Sequence, residues 1–209
     1  MDGQAFLERV REDERTALER LGSDKALLAA TGADLDADTV LGVLAATERY
    51  HRETFERWAE AAADEAAADA FRAAAETAGT HVERLQAGRS EDAAETADDL
   101  ETGVGGQDDD VARAAAGLVG ASLVLDRTLL QAVNFFVNEA DERRANLIRE
   151  VRTATEDRLE TGLDLLDELC EGDADWERAM DTATDAVAAA YDDYAERLEE
   201  MGIDPKPVC

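Results

Sequence analysis

The chain has 209 residues, enough for one domain with a substantial core, and carries 51 acidic against 21 basic side chains, a formal net charge of -30. A surface of that sign repels nucleic-acid phosphates and anionic membrane, which disfavours a direct grip on DNA or RNA. Because 45% of the residues are hydrophobic and fall at helical spacing, the charge does not signal disorder for most of the chain.

The basic residues are almost all Arg, with Lys only at Lys25 and Lys206. Acids spread over every helix, with Lys avoided, fit a salt-rich cytoplasm, where self-repulsion is screened within roughly 3 Å at about 1 M salt. Met1 to Leu21 is already charged and amphipathic, so no signal peptide is expected. The longest apolar run, Ala114 to Leu125, is too short for a bilayer, and a cytoplasmic protein is expected. Cys170 and Cys209 form no metal or disulfide framework by spacing.

In chain order, a first helix is predicted from Asp2 to Leu21, stopped by Gly22, with Ser23 capping a short helix through Leu28. Residues 1–38 read as an accessory layer of N-terminal helices, with Asp36 or Asp38 capping the next helix. A long hairpin spans Leu41 to Leu85, turning between Ala63 and Ala68. Residues 86–110 change character, with Gly88, Gly103, Gly105 and Gly106 among many acids, and read as a solvated acidic crossover. A third long helix, Val111 to Val137, is apolar nearly all round, which places it centrally or against a second subunit; a homodimer is therefore a candidate assembly. A fourth runs from Arg144 to Glu171. Asp173 or Asp175 caps a last helix to Met201, ended by Gly202, with Pro205 and Pro207 holding the tail extended. Residues 39–171 are thus a helical bundle, and 172–209 a helix and tail packed on the same domain. No strand signal appears, so the fold class is all-α.

Both histidines lie on apolar seams of the hairpin. Leu41, Leu44, Glu48, His51, Phe55, Trp58 and Ala62 recur at steps of three and four, as do Phe71, Ala74, Ala78, His81 and Leu85 on the second arm. A carboxylate and two imidazoles thus stand where the pattern calls for Leu. An offset of 78 residues lays the third and fourth helices over the hairpin: Glu48 meets Asp126, Ala78 meets Glu156, His81 meets Leu159 and Trp58 meets Phe136. If the hairpins turn near Glu65 and Ala140, Glu48, His81, Asp126 and Glu156 lie at similar heights along their helices. Buried carboxylates in one layer need a cation, protons or partner residues. Against the metal reading, Glu48 and His51 also suit an ordinary pair one turn apart, and Asp126 suits an ion pair with Arg127, Arg143 or Arg144.

The run from Glu48-Arg-Tyr-His51 through Trp58-Ala, continuing from Phe71 to His81-Val-Glu-Arg-Leu85, resembles the first half of rubrerythrin-like proteins of the ferritin-like superfamily. The whole chain, with its Pro-Lys-Pro-Val-Cys ending, resembles small rubrerythrin-family proteins of halophilic archaea, some of which carry transcription-antitermination labels. The resemblance implies a ferritin-like four-helix bundle with additional N-terminal and C-terminal helices. It implies a metal layer drawn from Glu48, His81, Asp126 and Glu156, with His51 as a substitute ligand and iron or another divalent ion as cofactor. Departures stand beside the match. Ala78 and Leu159 replace a family Glu and His, Asp126 is shorter than the family's Glu, and no Cys-x-x-Cys pair is present. The implied function is an eroded, non-catalytic site or one holding a single divalent ion. The alternatives are a di-iron peroxidase or ferroxidase, or an interaction protein acting in transcription.

Overall fold

The computed structural model describes residues 1–93, 104 and 106–205. The middle of the predicted crossover, the end of the tail and Cys209 lie outside the described residues. Those described are helical, without strands, in this order: α1 (Gly3–Asp13), α2 (Arg15–Leu21), α3 (Lys25–Ala30), α4 (Ala37–Ala61), α5 (Glu65–Ala87), α6 (Asp110–Arg113), a π-helical segment (Ala114–Gly120), α7 (Ala121–Asn138), α8 (Glu142–Leu169) and α9 (Asp173–Glu200).

The acidic composition supplies the helix starts. Asp2, Asp36, Asp64, Asp109 and Asp141 each accept a hydrogen bond from a backbone N–H of the first turn, at 2.8–3.1 Å. These carboxylates satisfy amides that have no partner inside the helix and complement its dipole. Ends are set differently. After α7, Ala140 turns left-handed (φ 57°) and Asp141 N–H donates back to the Phe136 carbonyl at 2.9 Å. After α9, Gly202 does the same (φ 73°), with Ile203 N–H donating to the Leu198 carbonyl at 2.8 Å.

The hairpin of α4 and α5 turns at Ala62–Asp64, tighter than the predicted 63–68. It needs no glycine because Asp110 Oδ2 accepts from Ala63 N–H (2.8 Å) and Asp64 N–H (3.0 Å). A second hairpin is formed by α7 and α8. Contacts fix the relative directions. Gly117 lies against Phe55 and Trp58, whereas Leu41 and Leu44 pack with Leu129, Val133 and Phe136, so α4 runs antiparallel to the third helix. Arg84 pairs with Glu150 and Arg144 Nε donates to the Gly88 carbonyl (3.0 Å), so α5 and α8 are antiparallel as well.

Two predicted elements differ. The first helix is broken at Glu14, which lets α1 pack on α8 and α9 while α2 reaches α7 and α9. The third helix widens to π geometry over Ala114–Gly120, where small residues allow close approach. A Cβ on Gly117 would sit 2.5 Å from Trp58, one on Gly120 3.0 Å from Ala186, and one on Gly162 2.6 Å from Leu118. The α9 helix lies along this π segment and covers its apolar surface. By length and composition Asp110–Asn138 could cross a bilayer, but 67% of its most apolar window is buried inside the protein.

The core falls into two hydrophobic clusters. One joins α1, α2, the Phe55–Trp58–Phe71 aromatics, the π segment, the second half of α8 and α9. The other joins the start of α4, Leu85, the second half of α7 and the first half of α8. A polar layer separates them.

Candidate functional site

That layer is built by α4, α5 and α8. On α4 the seam continues through Leu44, Glu48, His51 and Phe55, all turned inward. On α5, His81 follows Ala78 inward, and the two residues are 4% and 0% exposed. On α8 the inward seam is Val151, Thr155, Arg158, Gly162 and Leu166, so a guanidinium enters the same layer. Glu48, His51, His81 and Arg158 are 1%, 2%, 4% and 5% exposed.

The four side chains form one network. Arg158 Nη2 donates to both Glu48 oxygens, at 3.1 Å to Oε1 and 3.0 Å to Oε2. His81 Nδ1 lies 2.9 Å from Glu48 Oε1, and a carboxylate can only accept there, so this nitrogen carries a proton. Arg158 Nη1 lies 3.3 Å from His51 Nδ1. A guanidinium never accepts, so His51 Nδ1 is the acceptor and its proton resides on Nε2. The Glu48 Oε2 atom, 3.6 Å from the same nitrogen, is beyond hydrogen-bonding distance. The Arg158 guanidinium also lies 5.6 Å from the centre of the Phe55 ring, within cation–π range. Its Nε is buried without a hydrogen-bond partner.

The electrostatics reflect this arrangement. Burial pushes the Glu48 carboxyl upward, but the Arg158 charge and the hydrogen bond from His81 hold it well below the usual carboxylate range. Burial lowers His51, and the neighbouring Arg158 charge lowers it further, with Glu48 opposing both. The layer therefore contains an ionised carboxylate, a guanidinium and a neutral His51.

The predicted metal layer is assembled in part. Glu48, His51 and His81 meet. Asp126 and Glu156 are engaged elsewhere: Asp126 Oδ1 accepts from Arg152 Nε at 2.6 Å, and Arg152 Nη2 lies 3.3 Å from Glu156 Oε1. The Glu156 side chain is 54% exposed. The partner of Asp126 is thus Arg152, one turn before Glu156, and not Arg127, Arg143 or Arg144. Among the described residues no group of three or more His, Cys, Asp and Glu side chains is arranged to hold a metal ion. The donor chemistry gives the reason. Both Glu48 oxygens and His51 Nδ1 already face a fixed positive charge, and a second cation there would meet Coulomb repulsion from Arg158. The residues present do not fit a di-metal centre.

Arg158 is not a metal ligand, so a ligand pattern on the seams omits it. The signal is in the sequence all the same, because Val151, Thr155, Arg158 and Gly162 keep the same four-three-four spacing that singles out Glu48 and His81. No protein-family model, curated protein or solved structure matches this chain.

Proposed function

We propose that the chain is a ferritin-like helical bundle in which Arg158 stands where rubrerythrin-like proteins hold a metal cation, and that it works as a non-catalytic binding protein. The reading is supported by the two antiparallel hairpins joined by a long crossover, the arrangement such bundles use. The observation that carries it is the Arg158 guanidinium on both Glu48 oxygens, at 3.0 and 3.1 Å, with its other arm at His51. A guanidinium neutralises the buried carboxylate without open coordination positions and without redox chemistry. The layer then serves to fix helix register: Glu48 and Arg158 can meet at only one relative height of α4 and α8.

Anaerobic addition of Fe(II) to the purified protein in concentrated salt, followed by oxygen or peroxide, tests this. The proposal expects no stoichiometric iron and no accelerated oxidation. One or two tightly held irons per chain, with peroxide consumed and both lost in His81→Ala, would establish the enzymatic reading instead.

A further inference from the structure

Beside the polar layer lies a cavity of about 120 Å³, bordered by α2, α3, α4, α7, α9 and Val104 and partly open to solvent. Its walls are mostly aliphatic, with Leu21, Ala29, Val43, Leu125 and Ala186 among them. His51 closes one side. The remaining polar groups around it are largely committed. Thr47 Oγ1 donates to the Val43 carbonyl (3.1 Å), the Tyr194 hydroxyl shares a hydrogen bond with Ser23 (3.2 Å), and Arg197 pairs with Asp193 (2.8 Å) at the rim.

His51 differs from these. Its Nδ1 is held by Arg158. Its Nε2 makes no hydrogen bond to the described residues. The His51 side chain lines the cavity. The proton placed on Nε2 by Arg158 makes this atom a donor at a mostly apolar cavity, whose polar lining also includes Thr128. A water molecule is poorly suited to such a chamber, since it needs two to four polar partners. A charged molecule is worse, because its desolvation would be uncompensated by a neutral imidazole. In size the chamber is comparable to an engineered apolar cavity of about 150 Å³ that binds benzene.

We propose that this cavity is a binding site for a small, neutral, largely apolar molecule carrying one hydrogen-bond acceptor, such as a carbonyl, which His51 Nε2–H engages. Arg158 then has a second role as a positioning residue, acting through His51 by fixing its tautomer. The proposal does not require the ferritin-like reading; it needs only the cavity and the Arg158–His51 contact.

Cyclopentanone and cyclopentane serve as matched probes, differing in the acceptor. Titrations of the full chain in concentrated KCl with a chelator present, followed by 1H–15N NMR, report binding at the amides of Ala29, Leu125 and Ala186 and at the His51 ring nitrogens. The proposal expects saturable binding of both probes, a preference for the ketone of roughly fivefold, as one net hydrogen bond gives, and a ketone-specific shift at His51 Nε2. In His51→Phe the preference falls to about one while hydrocarbon binding persists. Ala190→Leu, which fills the chamber from a half-buried position, abolishes both; Val124→Phe repeats that test from α7 if the first variant unfolds. No saturable binding, equal affinity of the wild type for both probes, or undiminished binding in the filled variants would overturn it. The chelator keeps the protein metal-free throughout, so this test fails or succeeds apart from the iron test.

Discussion

Replacing Arg158 with Met removes the guanidinium while keeping an unbranched side chain in its place. The Glu48 side chain is 1% exposed and that of Arg158 2%, so solvent replaces nothing that is lost. Breaking one side of a buried ion pair costs about 3–5 kcal/mol, and the lower end applies here because the His81 bond to Glu48 at 2.9 Å survives. Glu48→Leu should cost a similar amount by leaving Arg158 unpaired. The double variant removes both charges, and apolar replacement of a buried pair is often neutral or stabilising, so it should lie within about 1 kcal/mol of the wild type. The predicted coupling is therefore about 5 kcal/mol or more, read from urea unfolding in concentrated KCl by circular dichroism.

The pH dependence carries a further signature. In the wild type the folded pKa of Glu48 is depressed. Its stabilisation is present above the unfolded value, near 4.5, and is lost as pH falls through the lower folded value. Without Arg158 the upward push of burial dominates and the folded pKa rises above the unfolded one. The sign inverts: Arg158→Met should lose stability as pH rises above about 4.5 and be closest to wild type in acid. A cost below about 1 kcal/mol with no coupling to Glu48 would refute the reasoning.

Other outcomes rest on particular contacts. Gly117→Ala should destabilise by about 1–3 kcal/mol, since its Cβ would meet the Trp58 ring at 2.5 Å and Phe55 at 2.9 Å; thermal melts check this. Asp110→Ala removes the acceptor of two turn amides at Ala63 and Asp64 and should cost about 1–3 kcal/mol by urea unfolding, with earlier proteolysis at the α4–α5 turn. Asp126→Asn, by contrast, loosens a partly exposed pair with Arg152 and should cost less than about 1 kcal/mol by the same measurement. Burial, reinforced by Asp175, pushes the Cys170 thiol up to about 11. In a Cys209→Ser chain, disulfide-exchange reagents at pH 8 should therefore label it far more slowly than in urea.

Much of this architecture is legible in the residues. The alternating three-and-four spacing of Leu41, Leu44, Glu48, His51 and Phe55 specifies an inward seam, and the structure turns every one of them inward. The Asp residues at helix starts are legible for the same reason, since capping is local chemistry. The break at Glu14 and the π segment over Ala114–Gly120 are not legible. No Pro or Gly marks the first, and the second depends on how closely Trp58, Ala186 and Gly162 approach from other helices. At the site, spacing identifies Glu48, His51 and His81 as converging, but a ligand-seeking reading expects a carboxylate from α8. Glu156 and Arg158 are two residues apart and face opposite ways, one to solvent and one to the core. About half a turn of α8 separates a coordinating layer from a guanidinium-filled one, and tertiary packing decides which face is turned inward.

The most direct test of the Arg158-filled layer is a 1H–15N spectrum of the arginine and histidine side chains at neutral pH, with and without Zn(II). The expected result is a protected Arg158 guanidinium, His51 protonated at Nε2, His81 protonated at Nδ1, and none of these signals moved by the metal. Loss of the Arg158 protection together with metal-induced shifts at His81 and His51 would contradict it.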